Sequence, residues 1–287
     1  MPDSDDTEPR VSSSPAQPDP AEIPVFILCG GLGTRLRSIE TGPKASAPVA
    51  GFPFLTYTFR LLARQGFRRI FLLAGFKAAD LAAELGISEA RDRTEAPGIA
   101  SVPTLTRDLV ETLSIRVVRE KERMGTGGAV WMARDYAADL NLILNGDSYA
   151  EVCFSDLLGE VKDDVAAILG VWRKKCGEYG TLELGPTNQV DRFVEKGNPG
   201  EGWINGGVYA VPGSFFERLP SGPSSLEKDV LPVDAAAGRL QAVCLQCFFR
   251  DIGTPERFRR AQAEFAVTRR RIRDEREAAA KPEPEVG

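Results

Sequence analysis

Hydrophobic residues in the first half of the chain come in two spacings that take turns. Ile23–Cys29, Ile70–Ala74 and Leu140–Leu144 are short apolar runs, and with Leu113–Val118 they predict strands. Between them, Phe54–Gln65 and Ala78–Leu85 repeat apolar residues at helical intervals, the first through Leu55, Phe59 and Leu62 and the second ending at Gly86. Thr126–Tyr136 reads as a third helix. Strand alternating with helix predicts an α/β, Rossmann-like sheet, mostly parallel and flanked by helices.

The second half is richer in strand. Val165–Trp172, Gly180–Leu184, Val190–Val194, Gly207–Val211 and Leu240–Phe248 are the candidates, with short helices near Ser155–Val161 and Ser214–Leu219. Thr254 before Pro255 and Glu256 is an N-cap signal. It opens a long helix with Phe258, Ala261, Phe265 and Ile272 on one side. Ser88–Val110, charged and broken by Pro97, Gly98 and Pro103, fits neither period and is expected to be an excursion loop. No repeat appears, so no C-terminal β-helix is expected.

The ends have a different composition. Residues 1–22 hold Pro2, Pro9, Pro15, Pro18 and Pro20 with little to bury, which predicts a disordered extension. Residues 23–268 read as one catalytic domain and 269–287 as a charged tail, helical or disordered. Asp3, Asp5 and Asp6 stand where a signal peptide would be basic, and no apolar run reaches membrane-spanning length. A cytoplasmic protein is the expectation, with no membrane partner.

Charge and composition narrow the chemistry. A net charge of −5 argues against a nucleic-acid partner, for which a basic surface is needed. The chain contains no histidine, which removes Ser-His and Cys-His nucleophiles, HExxH metal sites and any histidine base. Five cysteines without regular spacing suit reduced thiols. Cys244 and Cys247, three apart in an apparent strand, face opposite ways and do not suggest a metal site.

Gly30, Gly31 and Gly33 follow the first strand, and such a run can turn its N–H groups toward anionic oxygens while Arg35 and Lys44 add positive charge. The same residues also fit a glycine turn with solvated cations. Neither the GxGxxG dinucleotide pattern nor the Walker pattern is present. Asp147 and Asp251 each follow an apparent strand, where parallel sheets place ligand chemistry, and together can share a Mg2+. Either alone is as readily a turn residue. Glu120 offers a carboxylate to the paired N1–H and N2 donors of guanine, or an ion pair to Arg119 or Lys121 in solvent. Glu195, Lys196, Asn205 and Glu227 are further polar groups at strand ends or turns.

In order along Ile23–Gln262, GGLGTRL, PK, GTGGA, LNGD, YG, EK, INGGVY, SLEKD and DIGTP resemble the sugar-1-phosphate nucleotidyltransferase family. Pro53-Phe54-Leu55, Asn205-Gly206-Gly207-Val208-Tyr209 and Ser225-Leu226-Glu227-Lys228-Asp229 are most similar to its D-glycero-α-D-manno-heptose 1-phosphate guanylyltransferases. The resemblance implies the nucleotide-diphospho-sugar transferase fold, Mg2+ as cofactor, and an NTP, GTP before UTP, and a sugar 1-phosphate as substrates. It implies that Cys29, Gly30, Gly31, Gly33, Thr34, Arg35 and Lys44 surround the triphosphate and that Glu120, Gly125, Thr126 and Gly146 complete the nucleotide site. Asp147 and Asp251 become metal ligands; Gly180, Glu195, Lys196, Asn205 and Glu227 hold the sugar phosphate. Arg35, Lys44, Asp147 and Lys196 carry catalysis. Ala45 and Ser46 stand where the family has Pro-Met. A non-catalytic homologue that binds nucleotide sugars is the rival reading, and a homo-oligomer stays open.

Overall fold

The structure, a computed structural model, describes residues 18–31, 42–75, 77–87, 103–195 and 199–279, with side chains to residue 270. Four strands form its parallel part: β1 (Val25–Leu28), β4 (Arg69–Ala74), β5 (Ser114–Arg119) and β6 (Leu140–Asn145). A small hairpin, β2 (Pro48–Val49) and β3 (Phe52–Pro53), lies between β1 and β4. β1 lies between β4 and β6 and runs parallel to both, with Val25 opposite Ile70 on one side and Leu142 on the other.

Alternation along these strands sorts their side chains into two cores. Val25, Ile27, Ile70, Leu72, Leu142 and Leu144 face one way, toward α1 (Leu55–Arg64), α2 (Ala78–Leu85) and α3 (Thr104–Thr112). Phe26, Phe71, Leu73 and Ile143 face the other way, where Ala129 and Val130 of α4 (Gly125–Met132) cover them. Both faces are dry, which is why these strands carry unbroken apolar runs. The mixed, mostly parallel, helix-flanked sheet is the one the periodicity predicts.

The second half extends the sheet antiparallel to β6. β7 (Ser148–Ala150) and α5 (Phe154–Leu158) are followed by β8 (Ala166–Arg173), β9 (Gly180–Leu184), β10 (Val190–Glu195) and β11 (Gly202–Pro212). The main path is β10-β9-β11-β6-β1-β4-β5, with β8 paired to β11 and to β12 (Leu240–Leu245). A π-type turn at Leu226–Val230 leads into α6 (Leu231–Ala236). β13 (Phe249–Asp251) then pairs with β7, and α7 (Pro255–Ala279) closes the described chain. Phe258, Ala261 and Phe265 of α7 pack on Phe54, Tyr57, Tyr149 and Ile252 in a third core. The Thr254 hydroxyl accepts from Arg257 N at 3.3 Å, the expected cap.

Several expectations shift. The stretch read as an excursion loop contains α3, because Thr106, Leu109 and Val110 have a helical face to bury against α1; residues 88–102 lie outside the described residues. The apparent strand Leu240–Phe248 stops at Leu245, where β12 leaves β8; residues 246–248 are irregular and lead to the separate β13, which pairs with β7. Cys244 and Cys247 pack in different cores, and all five cysteines are free. Asn205-Gly206-Gly207 does not precede a strand. It forms an irregularity inside β11, where the register jumps from Asn205↔Gly170 to Tyr209↔Ile168. Of the extension read as disordered, residues 18–22 are described and make a turn in which Pro20 reaches Gly66; residues 1–17 lie outside. The tail begins as a continuation of α7 to Ala279.

Candidate active site

Polar groups gather at the C-terminal ends of β1 and β6. From β1 the sheet grows through β4 and β5 on one side and through β6 on the other, the switch point at which such sheets open a crevice. A cavity of about 920 Å3 lies there, within the size range of small-molecule sites. Gly146 keeps it compact: its N–H donates to Leu28 O at 3.0 Å, and a methyl group there would come within 2.7 Å of that oxygen.

Lys44 reaches Asp147 across this opening, with Nζ 2.6 Å from Oδ2. The lysine stands in a single 3-10 turn, Lys44–Ser46, entered through Pro43 in an extended conformation. Ser46 is buried beneath it and donates to Pro43 O and to the Glu84 carboxylate. That bond holds the turn where the family has Pro-Met.

Glu120 enters from the end of β5. It leaves the sheet through its own N–H, which donates to Ala74 O, and its carboxylate accepts from Met124 N at 3.1 Å. One carboxylate oxygen lies 2.6 Å from where a methyl group on Gly30 would sit, so glycine at 30 makes room for the acid. Burial raises the Glu120 carboxyl above its ordinary pKa, and the Met124 N–H opposes part of that shift. The side chain therefore points into the cleft rather than into solvent. Cys29, beside Gly146, is a partly buried thiol on the cleft wall whose pKa is pushed up by burial and by Asp147, which argues against a nucleophilic thiolate there.

The Gly125-Thr126-Gly127-Gly128 run takes on a meaning its pattern did not suggest. The N–H groups of Gly127 and Gly128 donate to Ser224 O, while Ser224 N donates to Met124 O. A methyl group on Gly125, where φ is +69°, would lie 2.3 Å from Ser224 O. These glycines admit a distant segment of chain. Thr126 adds a hydroxyl bond to Glu227 at 2.7 Å and accepts from Leu226 N at 2.8 Å. Glu227, expected with the sugar group, thus lines the cleft beside Thr126, because its Oε2 is held by the Thr126 and Ser225 hydroxyls.

Gly180, Glu195 and Asn205 form a separate cluster. Gly180 pairs with Glu195 between β9 and β10, and a methyl group on Gly180 would sit 3.7 Å from Asn205 Cβ. Asn205 donates to Tyr209 Oη at 2.6 Å and accepts from Gly207 N at 2.9 Å. Glu195 meets Lys228 at 3.6 Å, and Lys228 follows Glu227 on the cleft wall. The cluster and the cleft are therefore joined through the Leu226–Val230 turn.

Asp251 is not a free carboxylate after a strand; it is the last residue of β13. It stands opposite Ser148, and Ile252 N donates to Asp147 O at 3.0 Å, so Asp251 at the end of β13 lies beside Asp147 in the turn that leads into β7. Its side chain is nearly enclosed, accepting from Tyr179 Oη at 2.7 Å, Arg257 Nη1 at 2.9 Å and Gly253 N at 3.0 Å. Arg257 also lies over the Tyr179 ring, 4.3 Å from its centroid. Among the described residues no three acidic or thiol side chains converge as a metal cage.

A model of the family described as nucleotidyl transferase matches residues 25–267, nearly all of the folded chain. This chain belongs to the nucleotidyl transferase family. It is 32% identical to a D-glycero-alpha-D-manno-heptose 1-phosphate guanylyltransferase of Aneurinibacillus thermoaerophilus over 84% of this chain and 97% of that protein. It is 29% identical to the mannose-1-phosphate guanylyltransferase of Mycobacterium tuberculosis, over 85% of this chain and 65% of that one. The crystal structure of HddC from Yersinia pseudotuberculosis superposes with a TM-score of 0.70 at 31% identity, covering 85% of this chain and 99% of that one; the same protein has been solved with GMP-PN.

In this nucleotidyl transferase the cleft unites Cys29, Gly30, Gly31, Lys44, Glu120, Gly125, Thr126, Gly146, Asp147 and Glu227 from six separate segments. Gly33, Thr34, Arg35 and Lys196 lie outside the described residues. Sequence reasoning missed Ser224, Tyr179 and Arg257. The neighbouring YG and DIGTP motifs marked the places of the last two, but nothing in either motif pairs them with Asp251.

Proposed function

We propose that this transferase joins a nucleoside triphosphate, GTP by preference, to a sugar 1-phosphate of the manno-heptose or mannose type, giving a nucleoside diphosphate sugar and pyrophosphate. The observation that carries the reading is Lys44 and Asp147 facing Glu120 across Gly30 in one cleft. It is supported by the whole-length likeness to a guanylyltransferase.

A phosphate oxygen of the sugar 1-phosphate attacks the α-phosphorus in line. The new P–O bond forms as the bond to the β-phosphate breaks, and its electron pair leaves on pyrophosphate. The attacking monoester has a second pKa of about 6, so near neutral pH it is already largely dianionic and needs no general base. This fits a chain without histidine. The remaining task is to hold two anions together and neutralise charge at the transition state. Lys44 takes triphosphate oxygens with Arg35 and the 30–34 loop, while Lys196 takes the acceptor phosphate. Glu120 accepts from the N1–H and N2 groups of guanine. Gly180, Glu195 and Asn205 contact the sugar.

Asp147 and Asp251 would hold a Mg2+. Their carboxylate oxygens, one in the turn before β7 and one at the end of the paired β13, suit a hard cation that keeps waters and phosphates in its remaining positions, and such an ion needs no three-residue cage. When bound, it would neutralise phosphate charge. Tyr179 and Arg257 keep the Asp251 carboxylate oriented. A cytoplasmic setting belongs to the same proposal and suits five unpaired thiols.

Pyrophosphate release measured across the four NTPs with manno-heptose, mannose, glucose and N-acetylglucosamine 1-phosphates tests this reading. GTP with a manno-configured acceptor is expected to give the highest kcat/KM. A UTP preference would overturn the role of Glu120, and no turnover with any pair would favour a binding protein.

A further inference from the structure

The carboxylate of Glu84, on the last turn of α2, meets the segment that carries Lys44 on both sides of the lysine. Two residues after it, the buried Ser46 directs its hydroxyl to Glu84 Oε2. Two residues before it, glycine leaves the space: a methyl group on Gly42 would lie 2.9 Å from Glu84 Oε1. Between these points stands the single 3-10 turn, whose own backbone bonds are Ser46 N to Pro43 O at 3.1 Å and Ala47 N to Lys44 O at 3.2 Å. One turn of helix is unstable by itself, because few bonds repay the dihedrals it fixes. A hydroxyl bonded to a carboxylate is stronger than a neutral pair, so Glu84 supplies what the turn lacks.

The other end of α2 meets Glu120. Ala78 and Ala79 line the cleft, Ala78 N donates to Gly75 O at 3.0 Å, and a methyl group on Gly75 would lie 3.6 Å from Glu120 Oε2. Leu81, Ala82 and Leu85 bury the inner face of the helix and hold it against the sheet. At a rise of about 1.5 Å per residue, this short helix is about 12 Å long. One buried element therefore touches the acid at one end of the cleft and the lysine turn at the other.

We propose that Glu84 is a positioning residue. Acting through Ser46, it fixes where Lys44 presents its ammonium group and, through α2, the span between Lys44 and Glu120 that one nucleotide has to bridge. Glu84 itself stands outside the cleft lining, so its effect passes through the turn. This role rests on the proposed function in one respect only, that Lys44 has a nucleotide phosphate to hold.

Two measurements on the full chain test it. The first needs no substrate: the rate at which Lys44 is acetylated by an amine-specific reagent, followed by peptide mass spectrometry, reads how firmly the lysine is held against Asp147. Glu84→Ala and Ser46→Ala should each raise that rate by about threefold or more, the loss of one hydrogen bond. The double variant should go no further, because the two residues act as one pair. Glu84→Gln, whose amide oxygen still accepts from Ser46, should stay near wild type. The second measurement is calorimetric titration with GTP. Glu84→Ala should weaken binding by about tenfold, and by about twofold or less in a Lys44→Ala background. Thermal melting should show each variant to be folded. An unchanged acetylation rate in folded Glu84→Ala overturns the proposal. So does an equal loss of GTP affinity with and without Lys44, which would mark a merely structural residue, and so does a Glu84→Gln that behaves as Glu84→Ala. If acetylation responds as expected but the wild type binds no GTP, the positioning role stands and the proposed function falls. If GTP binding depends on Lys44 and neither Glu84 variant alters it, the proposed function stands and the positioning role falls.

Discussion

Asp147, in the turn before β7, and Asp251, at the end of the paired β13, are neighbours yet live in different surroundings. Asp147 faces the cleft, half-exposed, with the Lys44 ammonium and the Ser148 hydroxyl as its partners; in the proposed reaction a triphosphate would take Lys44 over and leave the carboxylate to a cation. Asp251 is nearly enclosed, fixed by a tyrosine, an arginine and a backbone N–H, on the wall of a second cavity. Two carboxylates of the same type are thus given unequal freedom. In the proposed reaction the first would exchange partners, while the second would stay in place.

The largest expected effect breaks the mobile side of this contrast. Lys44→Ala or Asp147→Ala should lower kcat/KM for pyrophosphate release by about 10^2–10^3-fold, the scale of losing one charge-stabilising group. Circular dichroism should show a native fold, since both side chains are partly exposed. Near-normal turnover in a folded variant would remove them from the reaction.

Next in size is the cleft wall. Gly125→Ala places a methyl group against Ser224 O at a positive φ and should cost about 1–3 kcal/mol in chemical denaturation. An unchanged midpoint would mean that Ser224 is not packed there. On the fixed side, Tyr179→Phe removes one orienting bond to Asp251 and should weaken the Mg2+ dependence of turnover by about tenfold, the lower end for an outer-shell partner. Equal Mg2+ curves for the two proteins would show that Tyr179 has no such role.

The smallest effect is in pH. The Glu120 pKa is raised, so the fold favours its neutral form: the stability this contributes is present at low pH and is lost as pH rises through the shifted value. Guanine recognition needs the ionised form. Binding of a guanine nucleotide should therefore weaken on acidification at a higher pH than an ordinary glutamate, near 4.3, would set. In Glu120→Gln that pH dependence should vanish, with weaker binding at neutral pH; a titration that matches wild type would exclude Glu120 from the base site.

Much of the fold was legible because dry sheets demand unbroken apolar strands and one-sided helices. β1, β4, β6, α1 and α2 fell within a residue or two of their expected bounds. Helix α3 was missed because Pro103 and the charged residues around it mask a short buried face. The apparent strand at 240–248 ends at Leu245 because the chain leaves β8 there for β13, which begins at Phe249 and pairs with β7, and strand pairing leaves no mark on hydrophobic periodicity. At the site, Lys44 was read after the Gly42-Pro43 turn, Asp147 after a strand and Glu120 in a strand-to-helix loop, and all three line the cleft. Glu227 was expected with the sugar group; its bond to Thr126, across a separation of 101 residues, sets it on the cleft wall.

The amino-acid sequence by itself determined the chemical repertoire. Without histidine, this chain has carboxylates, cations and backbone amides for its chemistry, and its glycines, aspartates and lysines follow strands where ligands collect. Only the tertiary structure decided who meets whom. The order of strands around β1 brings Lys44 to Asp147, the register of β13 on β7 sets Asp251 beside Arg257 and Tyr179, and a distant serine carbonyl explains the Gly125–Gly128 run. The reason is physical: periodicity records how each segment divides between water and core, whereas the distance between two charges is set by how separate segments pack together.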